Sequence, residues 1–420
     1  MKVYLLCVDA VPWGPELEDF AARHQLTRVM TLNNGTFTLT STLARFTGRL
    51  PGDLVPRGIG KDTWRLPRFY HWQRTAVSLW RWLDGLGWRG VLHNCLGDAW
   101  GYLAPWAPPE RVPEAAAWHA WVGHYPSVRV TNTHPQGKYE PFCAWPDPEL
   151  CSRFYRLERE YVRELQSTRG GRLLFHANHC HWHDYVYRVE HLDPEPARRG
   201  TLDWLSMWDM DEPDALFWIF SDHGHRCGVQ APPPDHCAWT LVRDNTARRV
   251  WSPVMAGQDF YRMFADLVGR PELAHGSEAR CVFSAPEPDR IYFVEDARCR
   301  ASPFESITFG ASTVSRWSSG GDPLELTQLT WLPVANRYAA FRWPAHNPWE
   351  YLRIPVRSPL LDRLREALKE RFPRPGRALG IPLRFLRDRV HLLLPRVTRC
   401  PLPQTSASSR KEGQLSMSSW

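Results

Sequence analysis

The feature that most constrains this chain is the run ALFWIF, Ala215 to Phe220, which stays apolar without interruption and then stops at Ser-Asp-His-Gly. It is too short for an ordinary helix and rich in aromatics, so it reads as a strand buried on both faces, the kind that parallel sheets contain. Ligands of open parallel sheets sit beyond the carboxyl ends of the strands, which is where Asp222 and His223 would emerge. Further strand-like runs supply its neighbours: KVYLLCVD from Lys2 to Asp9, RGVLHN from Arg89 to Asn94, RLLFHAN from Arg172 to Asn178 and AWTLVRD from Ala238 to Asp244. Helix candidates lie between them, notably Pro148–Thr168 and Gln258–Gly269. Strands alternating with helices imply an α/β fold, a mostly parallel sheet covered on both faces.

The texture changes after about Pro286. RIYFVED, FESITFG, LTQLTWLP, RYAAFRW and YLRIPV are short β-like pieces separated by Gly, Asn and Pro, and a charged amphipathic helix is predicted over Ser358–Phe372. The expected division is an α/β domain over 1–284, a smaller C-terminal α+β subdomain with an antiparallel sheet over 285–373, a basic amphipathic extension over 374–400, and a polar, Ser-rich tail over 401–420 expected to be disordered. The extension is expected to dock onto the domain, with a membrane-surface role as the alternative. No internal repeat is visible.

At 420 residues, with 43% hydrophobic and 23% charged residues, the chain can bury a substantial core. The tryptophans of RFYHWQRTAVSLWRWLDGLGW recur at near-helical spacing and read as core. The net charge of +7 suits a small anionic substrate and argues against nucleic acid as partner, since no motif accompanies it. The N-terminal apolar stretch is short and ends in an acid, unlike a signal peptide, and no stretch reaches the roughly 18 apolar residues of a membrane helix. A cytoplasmic location without transmembrane segment is therefore expected, with a homo-oligomer left open. Ten cysteines without a CxxC pair suggest free, mostly buried thiols.

Three separated segments carry the chemistry. Asp9 closes the first strand, NNGTFTLTSTLARFTG spans Asn33 to Gly48, and Asp222-His223 closes the late strand. An acid, a hydroxyl and an Asp-His pair from different strand ends can share one divalent cation, Mn, Ca or Zn, with a second ion left open. Blander roles exist for each: Asp9 and Thr38 as helix caps, Asp222-His223 as a strand-terminal turn.

With these residues in place, the sequence resembles the sulfatase branch of the alkaline phosphatase superfamily. FSDHGH resembles the family's SDHG element, LLCVDA its opening strand with a metal-binding Asp, and SPVMAGQDFYRMFADLVG its D-helix-G stretch. The resemblance spans roughly Lys2 to Gly269 and implies an alkaline-phosphatase-like sheet with helices on both faces. It also implies a metal held by Asp9, Thr38, Asp222 and His223. Counting back from FTG puts Thr38 where sulfatases carry the cysteine that becomes formylglycine, Ser41 at the serine, and Thr42 where arginine is usual. A threonine there is similar to phosphodiesterase, phosphonate hydrolase and phosphoglycerol transferase relatives, whose hydroxyl attacks phosphorus. Phosphate mono- or diesters are therefore expected ahead of sulfate esters, through a covalent phospho-threonine.

FHANHCHWHDY, from Phe175, places His179, His181 and His183 two apart, on one side of an extended segment. It resembles the family's D-x-H-x-P-Y loop, with His181 as proton donor to the leaving group, His179 in place of the Asp, and the proline absent. His179, His183 and His236 are the expected substrate contacts, His236 lying about where relatives put a late histidine or lysine. A rival reading takes HCHWH, HGHRC and DHC as a closed zinc site using Cys180, Cys227 and Cys237. That would make the chain a zinc-stabilised binding protein or an inactive relative.

Overall fold

A computed structural model of the chain describes residues 1–35, 38–50, 78–94, 127–133, 148–168, 170–179, 182, 195–224, 236–296, 308–332 and 337–372. The expected extension over 374–400 and tail over 401–420 lie outside them. Eight strands form the larger sheet: β1 (Lys2–Val8), β2 (Thr27–Leu32), β3 (Arg89–Asn94), β4 (Val128–Asn132), β5 (Leu173–His179), β6 (Ala215–Phe220), β7 (Cys237–Asp244) and β8 (Val254–Ala256). Their spatial order is β4-β3-β5-β1-β6-β7-β2-β8. All pairings are parallel except the two made by β7, which runs against both β6 and β2.

The alternation along β1 shows why the sheet is covered on both sides. Val3, Leu5 and Cys7 join one apolar layer with Phe46 of α2 (Thr38–Thr47), Leu83 of α3 (Trp82–Leu86) and Phe264 of α6 (Asp259–Leu267). Tyr4, Leu6 and Val8 join the other with Phe20 of α1 (Pro15–Arg23), Phe154 of α4 (Pro148–Ser167) and Trp204 of α5 (Glu195–Leu205). Every residue of β6 is buried. At roughly 1.5–3 kcal/mol for each fully buried large side chain, two-sided burial commits Ala215–Phe220 to the sheet interior. Trp80, Trp82 and Trp88 are core residues, as their spacing predicts.

The second sheet is antiparallel throughout: β9 (Tyr292–Asp296), β10 (Thr308–Trp317), β11 (Pro323–Leu332), β12 (Arg337–Pro344) and β13 (Leu352–Ile354), in the order β13-β12-β11-β10-β9. Helix α7 (Pro359–Arg371) packs on it through Leu361, Leu364 and Leu368, and the Ser358 hydroxyl caps it by accepting from Leu361 N–H at 3.2 Å. The two sheets share a core in which Met30, Leu32 and Val254 meet Tyr292, Leu326 and Trp343.

The α/β architecture with its smaller α+β unit is thus present. Three strands of the larger sheet are not apparent in the sequence: β2 and β4 mix polar and apolar residues, and β8 has only three residues. Cys7, Cys151, Cys237 and Cys281 are free thiols. No helix among the described residues is long and apolar enough to cross a membrane.

Candidate metal centre

Strands β5, β1 and β6 lie side by side and run the same way, so their carboxyl ends share one rim. Asp9 leaves β1 there, and β6 continues through Ser221 to Asp222 and His223. Ligand atoms of Asp9, Asp222 and His223 all lie within 4.8 Å of one another. All three residues are buried, none more than 2% exposed.

The backbone is shaped to bring them together. Asp9 N–H donates to the His179 carbonyl at 3.0 Å, extending the β1–β5 pairing by one residue. Ala10 then turns into the left-handed region at φ 56°, a conformation costing about 1 kcal/mol or more for a residue with a Cβ. Its N–H donates to Asp222 Oδ1 at 3.3 Å. On the other strand, Ser221 N–H donates to the Trp239 carbonyl at 3.1 Å and its hydroxyl to the His223 carbonyl at 2.7 Å, which closes the turn.

His223 is oriented by its own turn. Its Nδ1 lies 2.8 Å from the Gly224 carbonyl, which can only accept, so Nδ1 carries the proton. Nε2 is thereby directed at the acids, 3.2 Å from Asp9 Oδ1 and 3.8 Å from Asp222 Oδ2. Burial alone would lower the pKa of His223, but Asp222, Asp9 and the Gly224 carbonyl together outweigh it and push it up to about 9. Two buried carboxylates so close together require a positive charge between them. An imidazolium supplies one, and the donor set of two carboxylates and an imidazole equally fits a divalent cation.

Strand parity separates residues that are adjacent in sequence. Cys7, His176 and Phe220 point to the side covered by α2, where Phe46 meets the His176 ring edge-on at 5.2 Å. Asn178 follows His176 on that side and its Nδ2 donates to Asp9 Oδ2 at 3.3 Å, a contact that the sequence alone does not signal. His179 is fully buried on the opposite side, its ring stacked on Trp204 at 4.8 Å and its Nε2 3.4 Å from the Tyr155 hydroxyl. Trp204 is held in turn by its Nε1–H donating to Glu158 Oε1 at 2.9 Å. Burial would raise the Glu158 pKa, but His93, Thr133 and Trp204 more than offset it and hold the carboxyl below its ordinary value.

β5 ends at His179, the first of the three histidines expected to share one side of an extended segment. His181 and His183 lie outside the described residues. Thr38 is the first residue of α2, and its side chain also lies outside the described part. The α2 N-terminus is anchored by Ser41, whose hydroxyl donates to the Gly35 carbonyl at 2.9 Å. His236 is buried at the seam of the two sheets, its carbonyl accepting from Asn33 N–H at 2.9 Å. Of the rival zinc residues, Cys180 and Cys227 fall outside the described residues; Cys237 is buried, and burial pushes its thiol up to about 12 despite Arg28 nearby. The Asp9–Asp222–His223 cluster contains no thiol.

The chain matches no known family profile, and no curated protein is similar to it in sequence. Solved structures are similar in fold. A Vibrio parahaemolyticus protein of the alkaline phosphatase superfamily is 12% identical with a TM-score of 0.51, over 87% of this chain and 85% of that one. A Bacteroides fragilis structure described as a candidate sulfatase is 11% identical with a TM-score of 0.52, over 90% and 96%. A 2-O GAG sulfatase is 11% identical with a TM-score of 0.53, over 90% and 92%. The chain therefore has the fold of the alkaline phosphatase superfamily, sulfatases included.

Proposed function

We propose that this chain is a metal-dependent ester hydrolase or transferase acting on small anionic phosphate mono- or diesters, with sulfate esters a less favoured substrate. The observation that carries the reading is the convergence of Asp9, Asp222 and His223, buried at adjacent strand ends, on the rim from which β2 leads into α2 and Thr38. A divalent ion held there, Mn, Ca or Zn, would supply Lewis acidity and charge neutralisation. Asp9 and Asp222 would hold it as carboxylates and His223 through Nε2. Asn178 fixes the Asp9 rotamer, and Ala10 N–H fixes that of Asp222.

In this reading the Thr38 hydroxyl gives up its proton to solvent and attacks phosphorus in line as an alkoxide, the P–O bond to the leaving alcohol breaks, and a phospho-threonine forms at the head of a ten-residue helix. Backbone N–H groups of that first turn are suited to the equatorial oxygens. His181 is assigned the proton for the departing alkoxide, and water or an acceptor alcohol then releases the group from Thr38. His179, His183 and His236 remain the candidates for contacts to the ester.

The test combines metal analysis with turnover of aryl phosphate monoesters, aryl phosphate diesters and aryl sulfates. Thr38→Ala should lower turnover of the preferred ester at least about a thousandfold while retaining metal. Asp222→Asn should weaken metal binding by roughly tenfold or more with the fold intact. A wild-type protein that binds no divalent cation, or full turnover by Thr38→Ala, overturns the reading.

A further inference from the structure

Arg45 lies two turns along α2 from Thr38 and is 2% exposed. A buried guanidinium ordinarily has a carboxylate partner, because the cost of desolvating it is several kcal/mol. Among the described residues Arg45 has none within 4.0 Å, and its Nη1 has no hydrogen-bond partner. Its Nη2 donates to Asn33 Oδ1 at 3.3 Å, and its guanidinium carbon lies 3.9 Å over the ring of Phe220. The aromatic face holds the charge in place without neutralising it. Phe220 is two residues before Asp222, and Asn33 follows the end of β2, so the charge sits at the rim that carries the metal centre. Burial lowers the Arg45 pKa to about 10, and Cys7 and Asp222 are the groups that oppose it.

The charge has an evident consequence for the centre. Asp9 and Asp222 carry two negative charges, a divalent cation cancels them, and a neutral His223 adds nothing. Among the described residues, Arg45 leaves the assembly with one net positive charge in a buried, weakly screened environment. We propose that Arg45 is a specificity-determining residue, whose buried guanidinium biases the centre towards dianionic phosphate monoesters over monoanionic phosphate diesters and sulfate esters. The inference rests on the reading of the centre given above and narrows its substrate class. Arg45 acts through its field on the cation and the ester.

The test uses the full-length protein with Arg45→Met, Arg45→Gln and Arg45→Lys. Mn²⁺ titrated calorimetrically should bind Arg45→Met and Arg45→Gln about tenfold more tightly than wild type, since a repelling charge is gone, whereas Arg45→Lys should match wild type. A packing role alone would weaken Mn²⁺ binding or leave it unchanged in all three, and either result overturns the proposal. The kcat/KM ratio of aryl phosphate monoester to aryl sulfate should fall about tenfold in the two neutral variants and recover in Arg45→Lys. An equal loss on both substrates overturns it as well. If Arg45→Met does not fold, Arg45→Gln retains an amide that can donate to Asn33 and decides the matter. Absence of ester turnover by wild type would sink the proposed function, and the Mn²⁺ affinities would still judge the charge.

Discussion

Around the candidate metal centre, single residues act through which side of the sheet they occupy. His176, on the α2 side, is buried with Nδ1 3.2 Å from the Leu5 carbonyl, and burial, reinforced by Arg45, lowers its pKa to about 3. Because the folded state refuses a proton that the unfolded chain accepts near pH 6.5, this neutral histidine costs nothing above that pH. Stability is lost as pH falls from 6.5 towards 3, with a slope of up to about 1.4 kcal/mol per pH unit. Denaturant midpoints of His176→Gln should therefore fall less steeply than wild type across that window; parallel curves would show that His176 does not carry the effect. Asp9, Asp222 and His223 were legible in the sequence because each ends an apolar run, and strand ends of a parallel sheet share a rim. Asn178 and Arg45 were not legible. Their roles depend on which strand lies beside β1 and which helix crosses β6, and no local spacing encodes either.

Elements are held in place by a few tight contacts at their ends. Helix α2 stops at Gly48, whose φ of 65° places it in the left-handed region while its N–H donates to the Ala44 carbonyl at 2.9 Å. A Cβ there would stand 2.5 Å from the Tyr261 ring of α6 and 2.9 Å from Ser277 Cβ. Gly48→Ala should cost about 2 kcal/mol or more, from backbone strain and overpacking together, read as a shift in the chemical denaturation midpoint. A change below about 0.5 kcal/mol would mean that α2 and α6 can part without penalty. Long, strongly apolar elements such as β1, β5 and β6 could be read within a residue or two of their ends. The reversed direction of β7 could not, since its apolar run is compatible with either orientation and the choice is made by β6 and β2 on its two sides.

At the scale of the molecule, the two sheets are joined by charge as well as by apolar packing. Asp259, at the start of α6, receives both Arg290 guanidinium nitrogens at 2.6 and 2.7 Å, together with Ala256 N–H and Arg280 N–H, each at 2.8 Å. Arg290 leads into β9, and its carbonyl accepts from the Thr313 hydroxyl of β10 at 2.8 Å. Asp259→Ala leaves a largely buried guanidinium without its partner and should cost about 3 kcal/mol. Far-ultraviolet dichroism and tryptophan fluorescence should lose structure together in one transition, in wild type and variant alike; two separated transitions would show that the sheets fold independently. A second join is made by the stretch that leads to Thr38: Asn34 Nδ2 donates to the Phe293 carbonyl at 3.0 Å, Glu295 N–H donates to the Asn34 carbonyl at 3.0 Å, and Gly35 bridges to Glu295. Excising the smaller sheet would thus do more than uncover an oily flank. It would unfasten the leader of the helix that begins at Thr38, so a fragment tested for the proposed activity must keep both halves.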